Sequence, residues 1–251
     1  MKYIYNTRFN PTISGPLHVG HLYMALVNAT EAHFAGGEFV VRVDDTQGIW
    51  KHRLGKNLSE QYCVEYQEQL NRFMEIDVWH RQSQLPRPEE IVGDNQFLKS
   101  LPKPQWFGGI TQVEWKNGSD QKIWQCSPYF TAEKVIWDFW ESVNLLIRGD
   151  DLITEANLYD YFVEEIGLPR IQQVYIPRLM SEDRKNTVSE VDILRHGISK
   201  TFGTYKLEAQ INKFGVDTTL ELLKKSCLID PDGEFLVENI KLNPVITGLK
   251  E

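Results

Sequence analysis

The first 44 residues set a strand, a helix and a second strand in one order, and this order constrains the fold more than any other feature of the chain. Residues 3–9 predict a short strand, residues 17–35 predict a helix, and Gly36 and Gly37 are expected to end that helix. Residues 38–44 then form a nearly continuous apolar run, EFVVRVD, which is typical of a strand buried on both faces. These elements make one βαβ unit, so we expect an α/β fold built on a parallel sheet.

The rest of the chain predicts further strands and helices with an irregular segment between them. A second helix is predicted over residues 58–74. Further strands are predicted over residues 123–130, 143–148 and 172–180, and further helices over residues 157–166, 191–202 and 218–226. From Asp230 onwards, where the sequence Asp-Pro-Asp-Gly marks a turn, we expect a loose tail.

The distribution of proline and glycine divides the chain into four parts. Residues 1–84 are expected to form the first half of a nucleotide-binding domain, and residues 123–200 its second half. Between them, residues 85–122 are rich in proline and glycine and are expected to be a small insertion. Residues 201–251 are expected to add a C-terminal helical segment and the tail.

Composition excludes several classes of protein. Hydrophobic residues make up 41% of the chain and charged residues 25%, as in ordinary globular proteins. We expect no membrane segment and no signal peptide, because apolar runs are short and the first residues carry no charged region followed by an apolar one. The net charge of −8 argues against a general nucleic-acid coat. Cys63, Cys126 and Cys227 lie far apart, which favours a reducing cytoplasm and gives no zinc spacing.

The sequence His18-Val19-Gly20-His21 lies where the first loop is expected to meet the first helix. A helix N-terminus offers backbone N–H groups and the positive end of a dipole, so phosphates can bind there. His18 and His21, three residues apart, would lie on one face and could donate hydrogen bonds to phosphate oxygens. Taken alone, the motif is also compatible with two ordinary surface histidines. A metal site is disfavoured because no carboxylate or cysteine completes the set at helical spacing.

The sequence around this motif resembles the opening of the glutamyl- and glutaminyl-tRNA synthetases, which are class I aminoacyl-tRNA synthetases. The resemblance covers residues 7–46, with an Arg-Phe start, a proline-containing loop, the HIGH-type motif, Gly-Gly and a strand ending in Arg-Val-Asp-Asp-Thr. Residues 127–152 are similar to a second family segment that ends in Arg-Gly-Asp-Asp, and residues 158–162 and 169–180 continue it. The resemblance implies a Rossmann-like class I catalytic domain with a small insertion.

The resemblance also implies roles for single residues at the ATP site. His18, Gly20 and His21 match the ATP-binding signature, in which the two histidines are catalytic, and Thr12 is expected to join them. Mg²⁺ is implied with the phosphates.

A second group is implied for the amino-acid site. Arg8 matches the arginine that binds a substrate carboxylate, and Asp44 matches the acidic residue that holds the α-amino group, with aspartate closer to the glutaminyl branch. Arg148 matches the arginine that recognises the side chain. Tyr129 and Phe130 flank the position of the family's pocket tyrosine; ungapped counting assigns that position to Phe130. Taken alone, Arg8 and Arg148 are also compatible with ordinary surface ion pairs, and Asp44 with a helix cap or a turn residue.

The second family signature, KMSKS, is poorly matched. Aligned on Ser189, Thr187 and Glu190 stand where the family has two lysines. Arg184 and Lys185 lie one turn earlier and are candidate substitutes at the ATP site, with Lys185 and Ser189 as candidate catalytic residues. Equally, this segment is compatible with a charged loop that has no ATP role. A carboxylate near a triphosphate would be repulsive, so the departure leaves catalysis open.

Two further departures concern the acceptor. The chain has no room for an anticodon-binding domain, and residues 85–122 are a short version of the family segment that holds the tRNA acceptor end. Trp106, Phe107 and Trp115 in this segment could stack on bases or pack in a small core. A truncated member of the family, glutamyl-queuosine tRNA synthetase, attaches glutamate to a modified base. Its zinc cysteines are not matched here, because only Cys126 lies nearby.

These observations leave two main hypotheses. In the first, the protein is an ATP-dependent ligase that activates glutamate or a related amino acid and passes it to a tRNA, a modified nucleobase or another acceptor. In the second, the chain is a degenerate relative that binds an amino acid or nucleotide as a regulatory module. A structural subunit is a third, weaker alternative. The oligomeric state stays open.

Overall fold

The computed structural model of the 251-residue chain describes residues 3–46, 56–101, 115–116, 122–123, 128–181 and 205–246. The strands are β1 (Thr7–Phe9), β2 (Phe39–Val43), β3 (Val78–Arg81), β4 (Trp115–Lys116), β5 (Lys122–Ile123), β6 (Leu145–Gly149) and β7 (Gln172–Ile176). The helices are α1 (Val19–Ala35), α2 (Lys56–Leu70), α3 (Pro88–Val92), α4 (Gln96–Ser100), α5 (Pro128–Trp140), α6 (Ala156–Ile166), α7 (Leu207–Phe214) and α8 (Val216–Cys227). Short 3₁₀ turns cover Gln82–Gln84, Asp150–Glu155 and Val237–Asn239.

The predicted parallel sheet is confirmed. Five strands lie in the order β3-β2-β1-β6-β7, and every neighbouring pair is parallel. The order reverses between β1 and β6, where Thr7 pairs with Leu145. In open sheets of this kind, ligands bind outside the carboxyl ends of the strands at the point of reversal.

Burial explains why the two central apolar runs form strands. All five residues of β2 and all five of β6 are buried, as expected for strands covered by helices on both faces. In β6, alternation directs Leu145 and Ile147 into the core beneath α1, and Leu146 into the core formed by α5 and α6. The same alternation in β2 brings the charged side chain of Arg42 to Asp138 of α5 and to Glu141, the residue just after α5.

The helix α1 begins and ends where the sequence predicted. His18 is its N-cap, and the Nδ1 atom of His18 accepts a hydrogen bond from the backbone N–H of His21. Gly36 ends the helix in the left-handed conformation, with φ of 77°, and its N–H bonds back to the last turn. The helix α1 follows the loop after β1, and its start lies beside the point of strand reversal.

Two predictions are wrong, and several elements were not predicted. The strand predicted over residues 123–130 is wrong at its end: Ile123 is the last residue of β5, which pairs with the short β4, and residues 128–130 begin α5, while residues 124–127 lie outside the described residues. Pro128 suits the first turn of a helix because it lacks an N–H. The tail is not loose, because Phe235, Ile240 and Ile246 are buried in the main core. The elements that were not predicted are β3, β4, α3, α4, α5 and α7.

The other predicted elements that fall within the described residues are present, with shifted ends. The predicted strands over residues 3–9 and 172–180 are shorter than expected, as β1 and β7. The predicted helices over residues 58–74, 157–166 and 218–226 correspond to α2, α6 and α8. The predicted helix over residues 191–202 lies outside the described residues. Within the described ranges, none of the helices is both long and apolar enough to cross a bilayer.

Candidate active site

A cleft of about 410 Å³ opens at the point where the strand order reverses. Its walls come from the ends of β1 and β6, the start of α1 and the segment after β7. Of the residues predicted for the site, Arg8, Thr12, His18, Gly20, His21 and Arg148 line it. The fold therefore brings together, in one cleft, residues from the two halves of the chain that resemble the synthetases.

The two motif histidines form a stacked pair at the start of α1. Their ring centroids lie 3.8 Å apart with the planes 17° from parallel. Because Nδ1 of His18 accepts a hydrogen bond from the backbone N–H of His21, the proton of a neutral His18 ring is assigned to Nε2. Phe9 and Tyr66 lie near the His21 ring, at 6.1 and 5.8 Å. The hydroxyl of Tyr66 donates to the Gly15 carbonyl and so ties α2 to the loop before the motif.

Burial keeps both imidazoles neutral. It lowers the pKa of His18 well below its ordinary value, and the neighbouring His21 lowers it further. Burial also lowers the pKa of His21 to about 4. The Nδ1 atom of His21 is buried and has no hydrogen-bond partner within the described part of the chain. At neutral pH the pair thus presents uncharged N–H donors beside a helix N-terminus, a combination that suits phosphate oxygens.

Arg8 lines the cleft and is also fixed by an ion pair with Asp138. Its Nε and Nη2 atoms donate to the two oxygens of Asp138, at 2.7 and 3.1 Å. The carboxylate of Asp138 also accepts from Nη2 of Arg42 at 2.7 Å and from the Tyr159 hydroxyl at 2.8 Å. Only Nη1 of Arg8 lies outside the pair with Asp138, so this arginine can offer a ligand one nitrogen without breaking a buried ion pair.

Asp138 stays ionised within this network. Burial alone would raise the pKa of its carboxyl group, but the charges of Arg8 and Arg42, with hydrogen bonds from Arg8 and Tyr159, lower it to about 2. The network continues from Arg42 to Glu141, at 2.6 Å, and from Glu141 to His80, at 2.9 Å. Positive and negative side chains therefore alternate from Arg8 in the cleft wall to Glu141, which lies beside His80 of β3.

Asp44 does not line the cleft. It follows β2, and its backbone is held by hydrogen bonds with Pro11 and Ile13 of the loop after β1. Its side chain is buried, and Oδ1 accepts hydrogen bonds from the backbone N–H and the hydroxyl of Thr46. Lys134 Nζ lies 4.0 Å from Oδ2 of the same carboxylate. The predicted contact with an α-amino group stays a prediction.

A small recess beside the main cleft contains Phe130 and not Tyr129. The recess measures about 30 Å³, and its walls are Arg8, Phe130, Thr131, Lys134, Arg148, Glu155 and Tyr159. The two arginines line both the recess and the main cleft. Tyr129 lies elsewhere: its hydroxyl donates to Glu89 at 2.9 Å, on a separate groove with Pro88. Phe130, the residue to which ungapped counting assigns the pocket position, is thus the one that lines the recess with the two arginines.

Arg148 is held by aromatic and amide groups. Its guanidinium carbon lies 5.3 Å from the ring centroids of both Tyr159 and Tyr175. Its Nη2 donates to the Gln173 side chain and, at 2.7 Å, to the Tyr175 hydroxyl. Its Nε is buried and has no partner in the described ranges. A cation held in this way on the wall of the cleft suits an anionic ligand group.

Sequence reasoning missed two residues on the rim of the cleft. Arg178 lines the cleft, and its Nε donates to Asp150 at 2.8 Å and lies 3.9 Å from Asp151. Asp151 also lines the cleft. Gly149 permits this arrangement, because a Cβ atom there would lie 2.5 Å from the Asp151 carboxylate. The available signal was the position of Arg178 near the carboxyl end of the strand predicted over residues 172–180, on the sheet edge where ligands bind.

The candidate residues Arg184, Lys185 and Ser189, with Thr187 and Glu190, lie outside the described residues. In the part of the chain that the structure describes, no group of three or more His, Cys, Asp or Glu side chains could hold a metal ion.

A solved structure shares this fold. The chain is similar to the glutamate-tRNA synthetase from Elizabethkingia anophelis, with a TM-score of 0.55 and 15% identity, covering 97% of this chain and 67% of that one. The parallel five-stranded sheet with its helices is thus the α/β fold of a class I synthetase catalytic domain. Residues 5–71 match the family of class I tRNA synthetases for E and Q, catalytic domain. Over these residues the chain is similar to the glutamyl- and glutaminyl-tRNA synthetases.

Curated relatives agree with this relationship. The chain is 22% identical to glutamate–tRNA ligase 2 of Granulibacter bethesdensis, over 75% of this chain and 55% of the relative. It is 51% identical to the glutamyl-Q tRNA(Asp) synthetase of Methylococcus capsulatus over 41 residues, which are 16% of this chain and 14% of that one. The chain spans about half the length of the curated relative that it matches over most of its own length.

Proposed function

We propose that the cleft activates an amino acid, glutamate or a close relative, at the expense of ATP, and passes the activated acyl group to an acceptor. The observation that carries the proposal is the stacked pair of neutral imidazoles at the start of α1, on the wall of a cleft at the strand reversal. Similarity to named glutamate–tRNA ligases supports the amino acid and ATP as substrates.

In the proposed reaction, an oxygen of the amino-acid α-carboxylate attacks the α-phosphorus of ATP. A new O–P bond forms, the bond from the α-phosphorus to the bridging oxygen breaks, and pyrophosphate leaves with that electron pair. Positioning and neutralisation of charge provide most of the rate in such transfers. His18 and His21 would donate N–H groups to phosphate oxygens, and the backbone at Gly20 would follow the phosphates closely.

The amino acid would bind on the other side of the cleft, with the two arginines that line both cavities. Arg8 would offer Nη1 to one carboxylate, and the guanidinium group of Arg148, which lines both cavities, would attract another. Asp44 is proposed as the partner of the α-amino group, which requires its carboxylate to exchange Thr46 or Lys134 for the substrate. Thr12 would line the ATP side.

The proposal also concerns Mg²⁺, the second signature, the acceptor and the compartment. Mg²⁺ would accompany the triphosphate, and no side chain is assigned to it. Arg184 and Lys185 would neutralise charge in place of the family's lysines, with Ser189 beside them. The acceptor would be a tRNA, a modified nucleobase or another nucleophile. Cysteine usage supports the cytoplasm as the compartment.

The test is ATP–pyrophosphate exchange with glutamate, glutamine and aspartate, with and without bulk tRNA. We expect exchange with one of these amino acids, and a loss of at least tenfold, or about 1.4 kcal/mol, in His18→Asn and His21→Asn. The matched control is His33→Asn, which changes a histidine at the other end of the same helix. Absence of exchange under all conditions, together with saturable binding of ATP and amino acid, would support the non-catalytic binding module instead.

A further inference from the structure

The small recess beside the cleft contains a third cation, Lys134, besides the two arginines. From this we propose, on the basis of the function above, that Lys134 is a specificity-determining residue: it makes the recess select an anionic side chain over its neutral amide.

The size of the recess limits what can enter it. At about 30 Å³ it has room for a terminal group such as a carboxylate or a carboxamide, and no room for a ring. Because Arg8 and Arg148 line both the recess and the main cleft, a ligand bound in the cleft can extend one such group into the recess. The identity of that group is then decided by the charges on the recess wall.

The balance of charge on this wall is positive. Arg8 is compensated by Asp138, with which it shares a bidentate ion pair. Arg148 bonds to neutral groups, the Gln173 amide and the Tyr175 hydroxyl, so its charge is not compensated by those contacts. Glu155 is the acidic residue among its described walls. Asp44, the partner of Lys134, lies outside the recess, so among the lining side chains three cations face one carboxylate.

Lys134 lies between the recess and Asp44. Its ammonium group lies 4.0 Å from Asp44, a long distance for an ion pair, and its side chain is 29% exposed and lines the recess. A flexible lysine can turn from Asp44 to an entering carboxylate, which would leave Asp44 to the α-amino group. The same movement gives a neutral amide one hydrogen bond to its carbonyl oxygen and no charge pairing, and the NH₂ group of the amide adds another donor beside the cations.

Phe130 leaves the selection to the charged side chains. Its ring lines the recess and has no hydroxyl, so it can neither donate a hydrogen bond to a carboxylate nor accept one from an amide NH₂. The discrimination between the two groups therefore depends on the cations of the recess wall.

The test is calorimetric titration of the full chain with glutamate and with glutamine, in the presence of a non-hydrolysable ATP analogue. We expect the unmodified protein to bind glutamate more tightly. Lys134→Met should weaken glutamate binding about tenfold, change glutamine binding by less than about twofold, and leave the melting temperature nearly unchanged. Lys134→Arg should restore the preference. Lys213→Met, which removes an exposed lysine of α7, is the matched control.

Several results would overturn the inference. Equal weakening of both amino acids in Lys134→Met would mean that Lys134 acts only through Asp44. A preserved preference for glutamate in that variant, or a preference for glutamine in the unmodified protein, would also exclude this role while leaving the proposed activation intact. If neither amino acid binds the unmodified protein, the proposed substrate class and this inference fail together. Lys134→Gln repeats the measurement if the methionine variant melts early.

Discussion

At the scale of single residues, the carboxylate of Asp138 holds the cleft wall in place. Fully buried, it accepts hydrogen bonds from Arg8, Arg42 and Tyr159, which come from three different elements. Sequence could not predict this role: Asp138 stands among apolar residues of α5, and its partners are 21 to 130 residues away in the chain. Arg42 carried a weak signal, as the one charged residue inside the apolar run of β2.

Asp138→Asn should reduce the free energy of unfolding by about 3–5 kcal/mol. The substitution leaves the buried guanidinium group of Arg8 without its counter-charge and Arg42 with Glu141 alone, and removal of one member of a buried ion pair has costs of this size. Urea unfolding measures the effect. The control is Asp94→Asn, which alters an exposed ion pair with Lys99 and should cost less than about 1 kcal/mol. Equal effects in the two variants would contradict a structural role for the buried network.

The pH dependence of stability should show two separate windows. The pKa of His21 is lowered to about 4 in the folded protein, while an unfolded histidine titrates near its ordinary value of 6.5, so the unfolded chain binds more protons between these values. Stability should therefore fall as the pH decreases from 6.5 towards 4. The pKa of Asp138 is lowered to about 2 from 3.8, and its contribution should be lost between these values as the pH falls further.

The measurement is the slope of unfolding free energy against pH. In His21→Gln the slope between pH 6.5 and 4 should be shallower, with His18 accounting for what is left, because burial lowers the pKa of His18 as well. The region below pH 4 should be unchanged. An unaltered slope in this variant would mean that His21 is not buried as a neutral ring.

At the scale of elements, the turn between α1 and β2 depends on two glycines for different reasons. Gly36 has a φ of 77°, and a Cβ atom there would meet nothing within 4 Å. Gly37 is different, because its Cβ atom would lie 2.1 Å from the backbone carbonyl of Tyr5. The sequence predicted that both would end the helix. Gly36 does so in the left-handed conformation, and the N–H of Gly37 bonds to the Ala32 carbonyl at 2.9 Å. Gly37 also permits the close approach of the chain just before β1.

Gly36→Ala should cost about 1–2 kcal/mol, the strain of a left-handed alanine. Gly37→Ala should cost about 3 kcal/mol or more, since a clash with backbone cannot be relieved by rotating a side chain. Thermal unfolding of the two variants, side by side, makes each the control for the other. If the two costs are equal, the close approach to Tyr5 does not constrain the fold.

The elements that sequence predicted well are those with a clear burial pattern. The apolar runs of β2 and β6 and the periodicity of α1 and α6 are set by contacts with the core, so their patterns are visible in the chain. The start of α5 was mistaken for a strand because a short apolar run is compatible with either structure. The C-terminal segment was mistaken for a tail because its buried residues are scattered among turns, with no period.

At the scale of the whole molecule, the cleft forms because the strand order reverses between β1 and β6. The two sequence segments that resemble the synthetases thereby meet, although one ends at residue 46 and the other begins at residue 127. Sequence predicted which residues belong to the cleft more successfully than how they are held. Arg8, His18, His21 and Arg148 line it, whereas the partners that fix Arg8 and Arg148 are visible only in three dimensions.

If this cleft binds both substrates, each should stabilise the whole fold. A ligand that binds only the folded state adds about 2.7 kcal/mol at a concentration one hundred times its dissociation constant. We expect ATP and glutamate to raise the melting temperature separately, and together by more than either alone, because both contact the same cleft. His21→Asn should reduce the shift with ATP and retain that with glutamate, while Arg148→Met should do the reverse. Differential scanning fluorimetry over a range of ligand concentrations measures these shifts. Loss of both shifts in either variant would point to a general disturbance of the cleft, and stabilisation by neither ligand would favour a structural role for the fold.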